Sequence, residues 1–295
     1  MTADTTWIAE ALDLLGRRAP WGYRPGQAAA SEPTAWSILA LAAHGRAGAI
    51  GPGVHWLESI QAADGSVGVT ADVPSTRWPT GLAVLAWLAA ARNDPGGSGP
   101  AARVERAVAW ILETRGIAVD NTAGIFGHDT GLQGWPWVEG SHSWIEPTAI
   151  NLLALKATGR ARHPRAREAV ALLVDRLLPG GGCNYGNTTV MHQVLRPQIE
   201  PTGLALLALA GEESADARIG RSVAYLNRTL SAQTPSTSLG YGLMALSAWA
   251  DPPAESGAWL EAAFRRVAAG EGGPRTLHLA LLALAALGRR GPLVA

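Results

Sequence analysis

Apolar residues along this chain alternate between two arrangements. In 6–17, Trp7, Ile8, Ala11, Leu12, Leu14 and Leu15 recur at helical spacing and leave one polar face. In 36–43, opened by Glu32-Pro33-Thr34-Ala35, almost every position is apolar. The first pattern predicts a helix with one side in water, the second a helix covered all round. The pair recurs as 54–61 with 82–91, 103–114 with 149–157, 165–178 with 203–210, 216–230 with 237–249, and 256–268 with 276–287. Six such pairs, joined by Gly- and Pro-rich loops of varying length, identify a repeat architecture. Inner helices that are apolar on every side need neighbours on both flanks, which favours a closed ring over an open solenoid. The expected fold class is all-α: an (α/α)6 barrel, or toroid, of six outer–inner helical hairpins. Residues 1–295 form one domain, and no strand is expected.

Glu-Pro-Thr opens three of the inner helices, at Glu32, Glu146 and Glu200. Proline fits the first helical turn because its missing N–H would lack an intrahelical partner there. Each glutamate is then expected at the N-cap, where Ser, Asp or Asn would cap better. A long carboxylate in that place either complements the helix dipole or has a second duty. The dipole favours the ionised form, whereas burial in an apolar cavity favours the protonated one. Glu146, Glu200 and Glu32 are therefore candidate catalytic acids or bases, with Glu146 preferred. Asp129, in Phe126-Gly127-His128-Asp129-Thr130, is a further candidate acid in a segment where aspartate also suits a turn.

Twelve tryptophans against two phenylalanines and four tyrosines is the unusual feature of the composition. Three of them sit in Gly134-Trp135-Pro136-Trp137-Val138-Glu139-Gly140-Ser141-His142-Ser143-Trp144-Ile145-Glu146. Trp36, Trp78, Trp135, Trp137, Trp144, Tyr185 and Tyr241 all fall at or near inner-helix starts or in the loops that feed them. With His142 and His278 they are the candidate substrate-binding residues. Aromatic faces hold cations and also bind flat or greasy ligands, while other rings simply plug a core.

Hydrophobic residues make up 47% and charged residues 16%, with 24 basic and 24 acidic side chains. The balance leaves no basic stripe for nucleic acid. Cys183 is the single cysteine, which excludes an internal disulfide and suits a cytoplasmic setting. The N-terminus lacks the basic-then-apolar order of a signal peptide, so none is expected. Ser141-His142-Ser143 has no nucleophile elbow, and no Gly-rich phosphate loop follows a strand.

The alternating helices and the Glu-Pro-Thr starts resemble the squalene–hopene cyclase and prenyltransferase repeat family. So do the turns Gln61-Ala62-Ala63-Asp64-Gly65-Ser66 and Gly180-Gly181-Gly182-Cys183-Asn184-Tyr185-Gly186. The likeness spans nearly the whole chain, at the length of one barrel domain. It implies an aromatic-lined cavity for an isoprenoid and proton-initiated cyclisation or isomerisation by a glutamate. The cyclase motif Asp-x-Asp-Asp-Thr-Ala is absent; aligning its Thr-Ala on Thr148-Ala149 puts Glu146 at the middle aspartate. The protein-prenyltransferase branch would imply zinc near Cys183 and His278, but Gly181 stands where that branch has an aspartate. No metal and no cofactor are expected. The resemblance also leaves peripheral membrane contact open. A non-catalytic isoprenoid- or lipid-binding barrel and a carbohydrate-active barrel enzyme are the alternatives.

Overall fold

The computed structural model describes residues 6–17, 19–93, 100–122, 124–270 and 272–294. Residues 1–5, which carry much of the expectation about a signal peptide, lie outside them. Outer and inner helices alternate as the apolar pattern requires. The pairs are α1 (Thr6–Gly16) with α2 (Ser31–Ala43), α3 (Gly51–Ser59) with α4 (Thr80–Asn93), and α5 (Pro100–Glu113) with α6 (Ile145–Ala157). They continue as α7 (Pro164–Asp175) with α8 (Ile199–Leu209), α9 (Ala217–Thr229) with α10 (Ser236–Trp249), and α11 (Ser256–Ala268) with α12 (Thr276–Ala285). Each inner helix packs on the inner helices before and after it, and α12 packs on α2, so the ring closes. Each inner helix is reached through an outer one running the other way. The six inner helices are therefore parallel and present their N-termini at one mouth.

The two patterns bury as expected. Helix α6 is buried continuously from Ile145 to Leu155, whereas α9 buries only Ile219, Ser222 and Leu226. Large rings close the expected lumen near the helix starts, while a hollow of about 410 Å³ lined by Leu39, Leu85, Leu153 and Leu207 remains deeper between the inner helices. Trp36 on α2 and Tyr241 on α10 meet edge to face with centroids 5.6 Å apart. Helix α12 separates those two helices in the ring, so this contact is made inside the ring, past α12. Trp36 has no accessible surface and Tyr241 retains 1%, which leaves no room between them for a ligand.

The Pro-Thr element has a structural reason of its own. The hydroxyls of Thr34, Thr80, Thr148 and Thr202 accept the backbone N–H of Trp21, Val67, Trp135 and Cys183, respectively, in the preceding loop. Each threonine thus fastens its own loop over the start of its helix. Thr148→Val keeps the shape and leaves the buried Trp135 N–H without its acceptor at 3.1 Å. Urea denaturation is expected to show a loss of about 1–3 kcal/mol.

The loops also cap the helices of their neighbours. The carbonyl of Val69 accepts from Ser31 at the start of α2, that of Tyr185 from Ile145 on α6, and that of Tyr23 from Thr276 on α12. Each loop serves the inner helix of the preceding pair, and the first pair serves the last. This corrects the expectation that Glu32, Glu146 and Glu200 are N-caps. The caps are Ala30, Trp144 and Gln198, none with a side-chain bond, and each glutamate is the second helical residue. On α2 and α6 a neighbour's carbonyl already serves the helix end, so the carboxyls of Glu32 and Glu146 are released from capping.

The glycine turns dock each pair on the next. At Gly65, φ is +93°, and a Cβ would lie 2.2 Å from the Arg106 carbonyl oxygen on α5; Gly181 repeats this against Arg221 on α9. One expectation about strands fails: Thr189–Val190 (β1) and Gln193–Val194 (β2) form a small antiparallel hairpin in the loop before α8. Its turn residues, Met191 and His192, adopt positive φ. No helix among the described residues is long and apolar enough to cross a membrane.

Candidate active site

Three of the six inner helices bring a glutamate to the shared mouth: Glu32 on α2, Glu146 on α6 and Glu200 on α8. Burial is the main influence on each. It pushes Glu32 up to about 7, with the Glu200 charge adding to the rise and a hydrogen bond from Tyr23 opposing it. Tyr23 Oη donates to Glu32 Oε2 at 2.6 Å. Glu146 keeps 8% of its surface. Burial, then the charges of Glu32 and Glu200, hold its carboxyl well above the usual carboxylate range. Glu200 is less enclosed; burial raises it, and hydrogen bonds from Thr237 and Ser238 at the start of α10 pull it back. The mouth therefore holds coupled carboxyls of unequal acidity, with Glu146 pushed toward the protonated form and Glu200 the readier to ionise.

Tyr241 lies beneath them. Its buried hydroxyl has no hydrogen-bond partner. Burial, then the charges of Glu146, Glu32, Glu200 and Tyr23, push its pKa far above the ordinary range. Tyr185 at the rim is also raised, by burial and then by Glu200 and Glu146, and it remains largely exposed. Trp78, just before α4, meets Trp137 edge to face at 4.7 Å. Trp144 stacks obliquely on His142 at 4.4 Å. Among the described residues no three His, Cys, Asp or Glu side chains converge closely enough to hold a metal ion.

Not every candidate belongs to this mouth. Trp135 is a core residue, because its Nε1 donates to the Ile111 carbonyl at 2.9 Å and the Arg165 guanidinium covers its face at 4.4 Å. Trp36 closes the lumen near the helix starts. Asp129 is exposed and closes a turn, its Oδ1 accepting the Gly131 N–H at 2.8 Å. His142 faces a side pocket, and His278 lines a separate hollow with Arg24, Arg266 and Arg275. Cys183 is wholly buried, and burial pushes its thiol up to about 12, the state of an inert structural cysteine.

Tyr23, Thr237 and Ser238 are site residues that the sequence reading passed over. A signal for Tyr23 was present. It stands two residues after Trp21, as Trp137 stands after Trp135 and Tyr185 after Cys183. In each case the first residue is the one whose N–H the motif threonine holds.

The raised pKa of Glu32 has a measurable consequence. The folded protein binds its proton more tightly than the unfolded chain does, so this contribution to stability is present below about pH 4.5. It is lost as pH rises toward 7. Glu32→Gln is expected to match the parent at pH 4 and to exceed it by about 2–3 kcal/mol at pH 8. Urea titrations at both values decide this, and an equal stability difference at the two would contradict the assignment.

No protein-family model matches the chain, and no curated protein matches it. Solved structures do. Over 98% of this chain and 93% of theirs, it superposes on a xylose complex of a variant of Rex8A from Paenibacillus barcinonensis (TM-score 0.61, 10% identity). The same coverage holds for a reducing-end-xylose-releasing exo-oligoxylanase (0.62, 12%). It also matches alpha-2-macroglobulin of Salmonella reacted with methylamine (0.56, 16%), covering 96% of this chain and 17% of that one. At such identities the likeness establishes the fold. The chain is an (α/α)6 toroid, and its tie to the cyclase and prenyltransferase repeats holds at that level.

Proposed function

We propose that the chain is a barrel enzyme that carries out acid–base catalysis at its mouth on a polar, carbohydrate-type substrate. The observation that carries this reading is the gathering of Glu146, Glu32 and Glu200 at one mouth with their acidities set apart by burial, mutual charge and hydrogen bonding. A carboxyl that keeps its proton at neutral pH suits a general acid for an ether or glycosidic oxygen. A neighbour that ionises suits the base or nucleophile of the same step. Glu146 takes the first role and Glu200 the second; Glu32, held by Tyr23, tunes both. The faces of Trp137, Trp144 and Tyr185 offer flat apolar platforms at the rim, where a sugar ring stacks without entering the barrel.

Proton-initiated cyclisation of an isoprenoid fits less well. A raised pKa marks a weak acid, and an alkene demands a strong one. An isoprenoid entering from the mouth also meets Trp36 and Tyr241, which are fully packed there. The test is a panel of neutral and acidic oligosaccharides assayed for new reducing ends, beside squalene and isoprenoid diphosphates assayed for products. Release of reducing ends with a bell-shaped pH profile is expected. Turnover of an isoprenoid with no action on any sugar would replace this reading.

A further inference from the structure

A hollow of about 540 Å³ lies against the starts of α10 and α12, within the ~300–1,000 Å³ range of small-ligand sites. Arg24, Arg266, Arg275 and His278 line it, and no carboxylate among the described residues does. The whole chain carries 24 basic and 24 acidic side chains, so a general excess of arginine does not explain the grouping. Among the described residues, none of the three arginines forms an ion pair. Arg266 Nη2 makes one long bond, to the Thr234 carbonyl at 3.4 Å. Arg266 and Arg275 are exposed, and a ligand in the hollow reaches them.

Arg275 stands where the backbone disfavours a cation. It is the N-cap of α12 and makes no side-chain capping bond, and the positive end of a helix dipole favours an anion. Neither α12 nor α10, whose first residue Ser236 also lines the hollow, has an acid in its first turn. Two helix starts and three guanidiniums therefore direct one sign of potential into one hollow. His278 registers that potential: burial, then the Arg275 charge, holds its pKa below the ordinary range.

The hollow is tied to the glutamates on two sides. Arg24 follows Tyr23, whose hydroxyl donates to Glu32 and whose carbonyl accepts from Thr276 at the start of α12. Ser236 precedes Thr237 and Ser238, which hydrogen-bond Glu200. Helix α12 packs between α10 and α2, so the cationic hollow and the carboxyls share the same side of the ring.

We infer that this hollow is a subsite for a carboxylate-bearing sugar, which makes the substrate of the mouth an acidic, uronate-type oligosaccharide. The inference rests on the carbohydrate reading of the mouth and adds the charge of the substrate to it. A guanidinium matches a carboxylate in plane and spacing. A neutral sugar would leave the three cations without a counter-charge.

The experiment measures binding by calorimetry at pH 7, on the full chain carrying Glu146→Gln so that bound sugar is not consumed. The probes are oligogalacturonate, oligomannuronate and hyaluronan oligosaccharides, each beside its neutral methyl ester, and inorganic diphosphate alone. At least one acid is expected to bind about tenfold more tightly than its ester. Arg266→Gln and Arg275→Gln, both at exposed positions that leave the fold intact, should each remove most of that difference. The proposal is overturned if no acid binds better than its ester, if the preference survives both substitutions, or if diphosphate binds more tightly than every uronate. The two readings fail separately. Reducing ends released by the parent chain with no preference for acidic sugars would remove the subsite and leave the chemistry of the mouth. Arginine-dependent binding of a uronate that the parent chain never cleaves would keep the subsite and remove the catalytic reading.

Discussion

Replacing Glu146 with glutamine is expected to lower turnover roughly 10²- to 10⁴-fold, the usual worth of a general acid. Glutamine keeps the size and hydrogen-bonding shape of the side chain and removes only its proton. Because Glu146 is almost enclosed at the second position of α6, the substitution should leave the fold intact and the KM little changed. The pH profile is the sharper readout. A general acid works while protonated, so activity falls as pH rises through its pKa. A partner base such as Glu200 gives the rising limb at lower pH. In Glu146→Gln the falling limb should vanish and the rising limb remain. If turnover and both limbs survive, Glu146 is not the proton donor.

The largest loss of stability should follow from Arg165→Leu, at about 3–5 kcal/mol. Arg165 is a buried cation that ties the long loop to the outer wall. It donates to the carbonyls of Gln133 at 2.5 Å, Thr114 at 2.9 Å and Gly134 at 3.2 Å, and pairs with Glu168 at 2.7 Å. It also covers the face of Trp135 at 4.4 Å. Leucine fills part of the space but leaves those carbonyls without their donor. Chemical denaturation measures the loss, and a change below 1 kcal/mol would show that solvent replaces the guanidinium there. The loop that Arg165 fixes leads into α6, so activity should fall with stability.

The apolar pattern was enough to read twelve helices in six pairs, because a helix covered on all sides leaves no polar face in its sequence. Closure of the ring followed from the same patterning. The sequence also marked Glu32, Glu146 and Glu200, because Glu-Pro-Thr recurs at three inner-helix starts and glutamate is a poor choice for an N-cap. It misread why they are there. The residue before a proline was taken as the cap, whereas backbone carbonyls from neighbouring loops serve the helix ends, and such carbonyls carry no residue signature. The aromatics were counted correctly and assigned to one place. Trp36, Trp135 and Trp137 look alike in sequence, yet one closes the lumen, one packs under an arginine and one sits at the rim.

What the sequence by itself determined is the set of helices, their pairing and the three carboxylates at inner-helix starts, all properties of spacing along one chain. Tertiary structure alone decided that Trp36 and Tyr241 close the lumen near the helix starts and that Tyr23 joins the glutamates. It also decided that Glu146 and Glu32 are pushed toward the protonated form. Those outcomes depend on which side chains meet across the ring and on how much water reaches them. Residues far apart in the chain, such as Glu32, Glu146 and Tyr241, set one another's electrostatics only once α12 has closed on α2.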